Sequence, residues 1–459
     1  MNSLLEDYSS MIDSAAPMEL SGAVQEVRGL AVRVVDLPVP IGAMVRIVTG
    51  SGDVDGQVVG FDQDQTIVMP FGDMNGIGRG DVVIAQQFHQ TVRVGESLLG
   101  RVLNGLGAPI DENGPLLDTV PRSLNPPPIE PMDRPLIDTP LATGVRAIDS
   151  MTSVGRGQRL GVFSSPGLGK STLLGQMARH TAADVNVIAL VGERGREVRD
   201  FIDKTLGKEG LERSVVVCAT GDEPALLRIR AAMVAATIAE HFRDEGKDVL
   251  LIMDSVTRFC QAQRQVGLAA GEPPATKGYP PSVFAMLPTL LERCGRTSRG
   301  SITGFYAVLV EGDDLTDPIA DAARGVLDGH IALSAKLAHR AHWPAIDVLK
   351  SISRCGDEIT DSDHRVARDL VLRLLSAYED VEDLLNIGAY AAGSNEDYDL
   401  GIACKPSIDQ LLRQGMNEVR GAADFTNTRT QLIALAQQIM SARQELAKRV
   451  QRPAVQGPG

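Results

Sequence analysis

A parallel α/β core, preceded by a small β-barrel and followed by a helical domain, is the architecture this 459-residue sequence predicts. Three observations carry it. From about residue 141 to 370, short apolar runs alternate with helical patterns, the signature of a parallel sheet covered by helices. Between 17 and 90 the apolar runs are short and closely spaced, with Gly- and Pro-containing turns between them, as in a closed barrel. From about 371 the spacing turns helical, with Leu432, Leu435, Ile439, Leu446 and Val450 near the α-helical period. The chain thus divides into a tail (1–16), a barrel (17–90), a core (91–370) containing a Pro-rich connector (119–140), and a helical domain (371–459).

In the tail, Leu4, Leu5, Tyr8, Met11 and Ile12 fall on one helical face, which suits either packing on its own chain or docking a partner. The barrel is read from the runs Ala23–Val35, Met44–Val48, Gln57–Val68 and Asp81–Gln86. The first 90 residues, tail and barrel together, carry 12 acidic and 4 basic side chains, a balance of −8. A single-strand nucleic-acid barrel wants a basic groove and stacking aromatics; here aromatics are sparse and the charge is wrong, so a structural or assembly role is expected and nucleic acid is not. Seven prolines between 119 and 140, including Pro126-Pro127-Pro128, predict a stiff extended connector. The final RPAVQGPG reads as a disordered tail, and no internal repeat is found.

Bulk properties narrow the class. Hydrophobic residues make up 43% and the formal net charge is −14, which disfavours polyphosphate backbones as partners. Five scattered cysteines without a C-x-x-C pair suggest neither a zinc site nor a disulfide framework. The start lacks a basic region followed by an apolar run, and no apolar stretch approaches membrane-spanning length. A cytoplasmic location is expected.

The chemistry begins at Ser164-Ser165-Pro166-Gly167-Leu168-Gly169-Lys170-Ser171-Thr172. An apolar run, Arg159–Phe163, precedes it, and a helical pattern follows, the strand–loop–helix context of a phosphate-binding loop. Gly167 and Gly169 allow backbone N–H groups to turn toward phosphate oxygens, and a helix starting near Lys170 adds its positive end. Lys170 then reaches the β- and γ-phosphates of a nucleotide such as ATP, and Ser171 offers a hydroxyl to Mg²⁺. Ser164 stands where the usual pattern has glycine. Serine is small enough unless φ must be positive there, which would cost about 1 kcal/mol or more.

Asp248–Asp254 reads as a buried strand ending in an acid, and Asp254 suits the Mg²⁺ carboxylate. Val185–Val191 is a further strand, with Glu193 just past its carboxyl end. Ligands bind at those ends of parallel sheets, so Lys170, Asp254 and Glu193 are expected to converge. Hydrolysis needs a carboxylate to orient water; Glu193 is that candidate, against a solvated charge cluster in GERGRE. Trp343, the only tryptophan, suits stacking on adenine or ordinary core packing. Arg354 suits a structural role or an arginine finger, worth about 10³–10⁵ in rate where fingers operate.

Taken in order, GRVLNGLGAPID (100–111), ATGVRAIDSM (142–151), the phosphate loop, GERGREV (192–198), DVLLIMDSVTRF (248–259), EGDDLTDPIAD (311–321), LDGHIAL (327–333) and WPAIDVLKSISR (343–354) resemble the rotary-type ATPases related to the F1 catalytic subunit. Nearly the whole chain is covered, and the match is closer to the ATPases of flagellar and virulence type III protein export. DLLNIGAYAAGS (383–394) looks more like the flagellar branch.

The resemblance implies a RecA-like P-loop ATPase core using ATP and Mg²⁺, in a homohexamer with sites at subunit boundaries. Lys170, Ser171, Glu193 and Asp254 would act from one subunit and Arg354 from its neighbour. Arg258 falls at a family position near the phosphates, and Trp343 where the family usually has a stacking tyrosine. The implied partners are an export regulator of the FliH type at the N-terminal tail, and a stalk-like protein of the FliJ type and the membrane export gate at the C-terminal domain. Exported flagellar proteins and their chaperones complete the set, with the chain peripheral at the cytoplasmic face of the inner membrane. Two other classes compete: a ring-type RNA translocase, disfavoured by the acidic barrel, and a non-catalytic synthase-head subunit, disfavoured by intact Lys170, Glu193 and Asp254. Because Glu193 and Arg354 lie on one chain, a homo-oligomer would be catalytically complete.

Overall fold

A computed structural model describes residues 20–310, 317–416, 418 and 424–450. The tail helix expected at 4–12 and most of EGDDLTDPIAD lie outside these. The barrel closes from six strands: β1 (Ser21–Arg28), β2 (Ala31–Val35), β3 (Met44–Thr49), β4 (Gly52–Asp62), β5 (Gln65–Pro70) and β6 (Val82–Gln87), in spatial order β1-β2-β5-β4-β3-β6. Two of the expected runs each contain a tight reversal. Gly29, at φ 60°, turns β1 into β2, and Gln63, at φ 54°, lies between β4 and β5. Alternation fills the interior with Val32, Val34, Val45, Ile47, Val58, Val68 and Val83.

The core sheet runs, among the described residues, through β7 (Val102–Leu103), β8 (Arg159–Ser164), β9 (Val185–Val191), β10 (Ser214–Ala219), β11 (Asp248–Asp254), β12 (Ser301–Leu309), β13 (Gly329–Leu333) and β14 (Ile346–Ser353). Their spatial order is β14-β13-β8-β12-β11-β9-β10-β7. All these neighbours pair in parallel except β13 and β14, which are antiparallel. The apolar runs are continuous because both faces are covered. In β9, Val185, Val187, Ala189 and Val191 pack into one core while Ile188 and Leu190 enter the other. In β11, Val249, Leu251 and Met253 oppose Leu250 and Ile252 in the same way.

The Pro-rich connector is docked rather than free-standing. Val120–Ser123 pairs antiparallel with Thr91–Val94, and Arg293 donates to the Leu124 carbonyl at 3.1 Å. The helices needed below are α1 (Lys170–His180), α2 (Ala225–Asp244), α3 (Val256–Ala269), α4 (Ser362–Asn386), α5 (Glu396–Leu412) and α6 (Phe425–Val450). Helix α4 starts at Ser362, ahead of the expected 371, because Asp361 caps it by accepting from the His364 N–H at 2.9 Å. Its apolar face, Ala367, Val371, Leu374 and Leu375, packs with Leu400, Ile408 and Leu432 of α5 and α6.

Candidate active site

The phosphate loop leaves the end of β8 and enters α1. Gly167 and Gly169 adopt φ 83° and 80°, the left-handed region that side chains avoid. Gly169 is also the N-cap of α1. A Cβ added to it would lie 3.0 Å from Trp343 Cζ3, so the bare backbone is what admits the indole over the loop. Ser164 is the last residue of β8 and is not among the positive-φ residues. Its carbonyl accepts from Val310 N–H at 3.1 Å. The strain considered for serine at this position therefore does not arise. Its hydroxyl, on a residue only 1% exposed, has no hydrogen-bond partner among the described residues.

Lys170 Nζ donates to Asp254 Oδ1 at 2.5 Å and lies 4.0 Å from Glu193 Oε1. Arg258, on the first turn of α3, donates through Nε to Glu193 Oε1 at 3.1 Å and through Nη2 to Oε2 at 3.4 Å. The strands explain the meeting. β8, β12, β11 and β9 lie side by side and parallel, so the loop after β8, Asp254 closing β11 and Glu193 after β9 emerge on one edge. Gly192, at φ 74°, makes room for the clamp: a Cβ there would sit 2.8 Å from Arg258 Cδ.

Asp254 is 2% exposed and Glu193 9%. Burial, and then the negative charge of Asp254, push the Glu193 carboxyl up to about 7, against the pull of Lys170 and Arg258. A carboxyl with that affinity for protons is suited to exchange them near neutral pH. The oxygen donors here, the buried Asp254 carboxylate and the exposed Ser171 hydroxyl, are hard ligands of the kind Mg²⁺ takes beside nucleotide phosphates.

Trp343 stands in the turn between β13 and β14, at the same edge. It lines a cavity of about 360 Å³ together with Gly169, Thr172, Gln414 and Met416. Trp343 is 43% exposed, so it is not ordinary core. Gln414 and Met416 follow α5, more than 240 residues after the loop, and no local pattern marks them.

Arg354 is elsewhere. Strand β14 is antiparallel, so it carries the chain from Trp343 back across the sheet. Arg354 N–H donates to the Asp328 carbonyl at 2.9 Å, and the Asp328 carboxylate holds Arg159 at the start of β8 at 3.0 Å. The six residues of β8 span about 17 Å, and the phosphate loop lies at their other end. The exposed Arg354 guanidinium makes no ion pair among the described residues.

Such a fold and site, a phosphate loop with a buried lysine–carboxylate cluster on a parallel sheet between a barrel and a helical domain, define a P-loop ATPase. Residues 144–353 match the nucleotide-binding domain of the ATP synthase alpha/beta family, residues 24–86 its beta-barrel domain, and residues 360–434 the T3SS EscN ATPase C-terminal domain. The chain is 52% identical over 367 residues to a flagellum-specific ATP synthase of Bacillus subtilis, covering 79% of this chain and 83% of that one. It is 46% identical over 438 residues to the flagellum-specific ATP synthase of Pseudomonas aeruginosa (94% and 97% covered). With the type 3 secretion system ATPase of Xanthomonas euvesicatoria it shares 48% over 402 residues (87% and 90%). Among solved structures, the assembled ATPase EscN of the enteropathogenic E. coli type III secretion system superposes with TM-score 0.83 at 40% identity, covering 90% of this chain and all of that one. The chain belongs to the ATP synthase alpha/beta family and, within it, to the type III export ATPases.

Proposed function

We propose that this chain hydrolyses ATP to energise flagellar type III protein export, as a homohexamer with active sites at subunit boundaries. The observation that carries the boundary site is the separation just described: Lys170, Glu193 and Asp254 on one edge of the sheet, Arg354 on the other. A finger so placed cannot serve its own loop; it serves a neighbour's. The relatives named above support the flagellar assignment, and EscN has been solved with its central stalk EscO.

In the proposed reaction the loop amides and Lys170 hold the β- and γ-phosphates, and Trp343 stacks on the adenine. Ser171 and Asp254 hold Mg²⁺, which when bound neutralises charge on the phosphate oxygens. Glu193, oriented by Arg258, accepts a hydrogen bond from the attacking water. Water oxygen bonds to the γ-phosphorus, the bond to the bridging oxygen breaks, and ADP leaves with that electron pair. The water's proton passes toward Glu193. Arg354 of the adjoining subunit stabilises the charge that spreads over the phosphoryl oxygens.

By the same reading, residues 1–16 engage an export regulator of the FliH type. The C-terminal domain meets a stalk-like protein of the FliJ type and the export gate, placing the chain at the cytoplasmic membrane face; among the described residues no helix is long and apolar enough to cross a membrane. Two measurements test the proposal. ATPase activity of the purified chain should rise steeply with protein concentration, and the gene should restore motility to a strain lacking its flagellar export ATPase. Activity independent of concentration down to monomeric protein would overturn the boundary site.

A further inference from the structure

Helix α1 begins in the phosphate loop, and its residues 172 and 176 lie one turn apart on one face. Both line the cavity beside Trp343. Gln176 is 3% exposed, and its Nε2 has no hydrogen-bond partner among the described residues. An unpaired buried amide is unfavourable unless something else satisfies it. The second carboxamide in the wall, Gln414, has a partner on each of its two polar atoms. Its Oε1 accepts from Arg146 N–H at 2.7 Å, and its Nε2 donates to the Gly144 carbonyl at 2.8 Å. Its own N–H donates to the Trp343 carbonyl at 2.9 Å. The rest of the wall is largely apolar, including Leu168, Leu173, Leu333 and Pro344. Among the described residues, Gln176 is thus the buried side chain of this wall whose amide nitrogen has no partner, in a cavity whose other feature is an indole face.

We infer that Gln176 reads the edge of the adenine base and gives the site its preference for ATP over GTP. A carboxamide donates one N–H to adenine N7 and accepts from the exocyclic N6 amino group, the bidentate match of glutamine to adenine. On that edge guanine carries a carbonyl where adenine carries the amino group, so N7 and O6 are both acceptors and, in either amide orientation, the carboxamide oxygen faces one of them. Trp343 supplies stacking that any base satisfies; Gln176 supplies the discrimination. This inference rests on the cavity being the base pocket of the proposed ATP site.

Trp343 is the only tryptophan, so its fluorescence reports occupancy of the pocket directly, without turnover. Titrations with ATP, GTP and ITP on the wild-type chain should show tighter binding of ATP. Gln176→Met, similar in length and without the amide, and Gln176→Glu, which has no N–H to give, should each weaken ATP and leave GTP nearly unchanged. The ATP:GTP affinity ratio should fall about tenfold or more. Wild-type protein needs no substitution for the complementary test: 7-deaza-ATP, which lacks the N7 acceptor, should bind about tenfold more weakly than ATP, and 1-deaza-ATP should bind like ATP. An unchanged ratio in both variants, with 7-deaza-ATP binding like ATP, would overturn the role of Gln176. If Lys170→Ala still binds nucleotide as the wild type does and ATP leaves Trp343 fluorescence unaltered, the site reading itself fails.

Discussion

Glu193 holds its place between opposing charges: Asp254 and burial favour its protonated form, Lys170 and Arg258 its ionised one. Water activation needs the ionised form, so kcat/KM should rise with pH through an ascending limb near 7. Replacing Arg258 by alanine removes a positive charge that favours ionisation. The limb should then move to higher pH, whatever happens to the maximal rate, and a pH–rate profile reads the shift. Glu193→Gln should lower kcat by about 10²–10⁴-fold while Trp343 still reports ATP binding. At Ser164 the expectation is of a different kind. Its buried hydroxyl has no partner among the described residues, so Ser164→Ala should stabilise the fold by up to about 1 kcal/mol. Thermal unfolding measures that, and nucleotide affinity should be retained. What was legible at Ser164 was its small size, whereas its strand backbone came from its position at a strand end. Gln176 was not legible, because a glutamine on a helix carries no mark of which cavity it faces.

Elements decide how these side chains meet. The runs ending at Val191 and Asp254 were readable as strands because both are almost wholly apolar, Asn186 aside, and both lie between acidic residues, which a doubly covered parallel sheet produces. The turn after Val191 depends on Gly192, whose φ of 74° and closeness to Arg258 leave no space for a side chain. Gly192→Ala should displace the Arg258 clamp and reduce turnover at least tenfold, an effect near the cost of left-handed backbone in a non-glycine residue of about 1–2 kcal/mol; steady-state kinetics beside a melting curve separates lost geometry from lost stability. The start of α4 escaped the sequence reading because its first turn, Ser362-Asp363-His364-Arg365, is polar and its apolar period begins later; the Asp361 cap was the signal available. Trp343 and Arg354 stand eleven positions apart in one motif, and nothing in the letters tells that an antiparallel strand carries them to opposite edges. The contribution of residues 414–416 to the cavity beside Trp343 is equally silent, since long-range packing leaves no local pattern.

At the scale of the whole molecule, the barrel, core and helical domain were legible because each has its own hydrophobic period, and the family's motifs fixed the core. The separation of catalytic groups makes a prediction about mixtures. Lys170→Ala chains retain the finger and Arg354→Ala chains retain the loop. Each alone should be inactive, and mixing the two should restore ATPase activity, because some boundaries then join an intact loop to an intact finger. No recovery on mixing, with assembly verified by size, would contradict a shared site.

The direction of β14 has one more consequence. In the proposed ring a subunit offers a loop on one side and a finger on the other, so its two neighbours are not equivalent and contacts between copies run head to tail. An open arc of such subunits always ends in one loop that nobody completes and one finger with nothing to complete. It carries one working site fewer than it has members, whatever its length. Only closure into a circle removes the idle pair, so the last subunit to arrive adds two working sites where every earlier arrival added one.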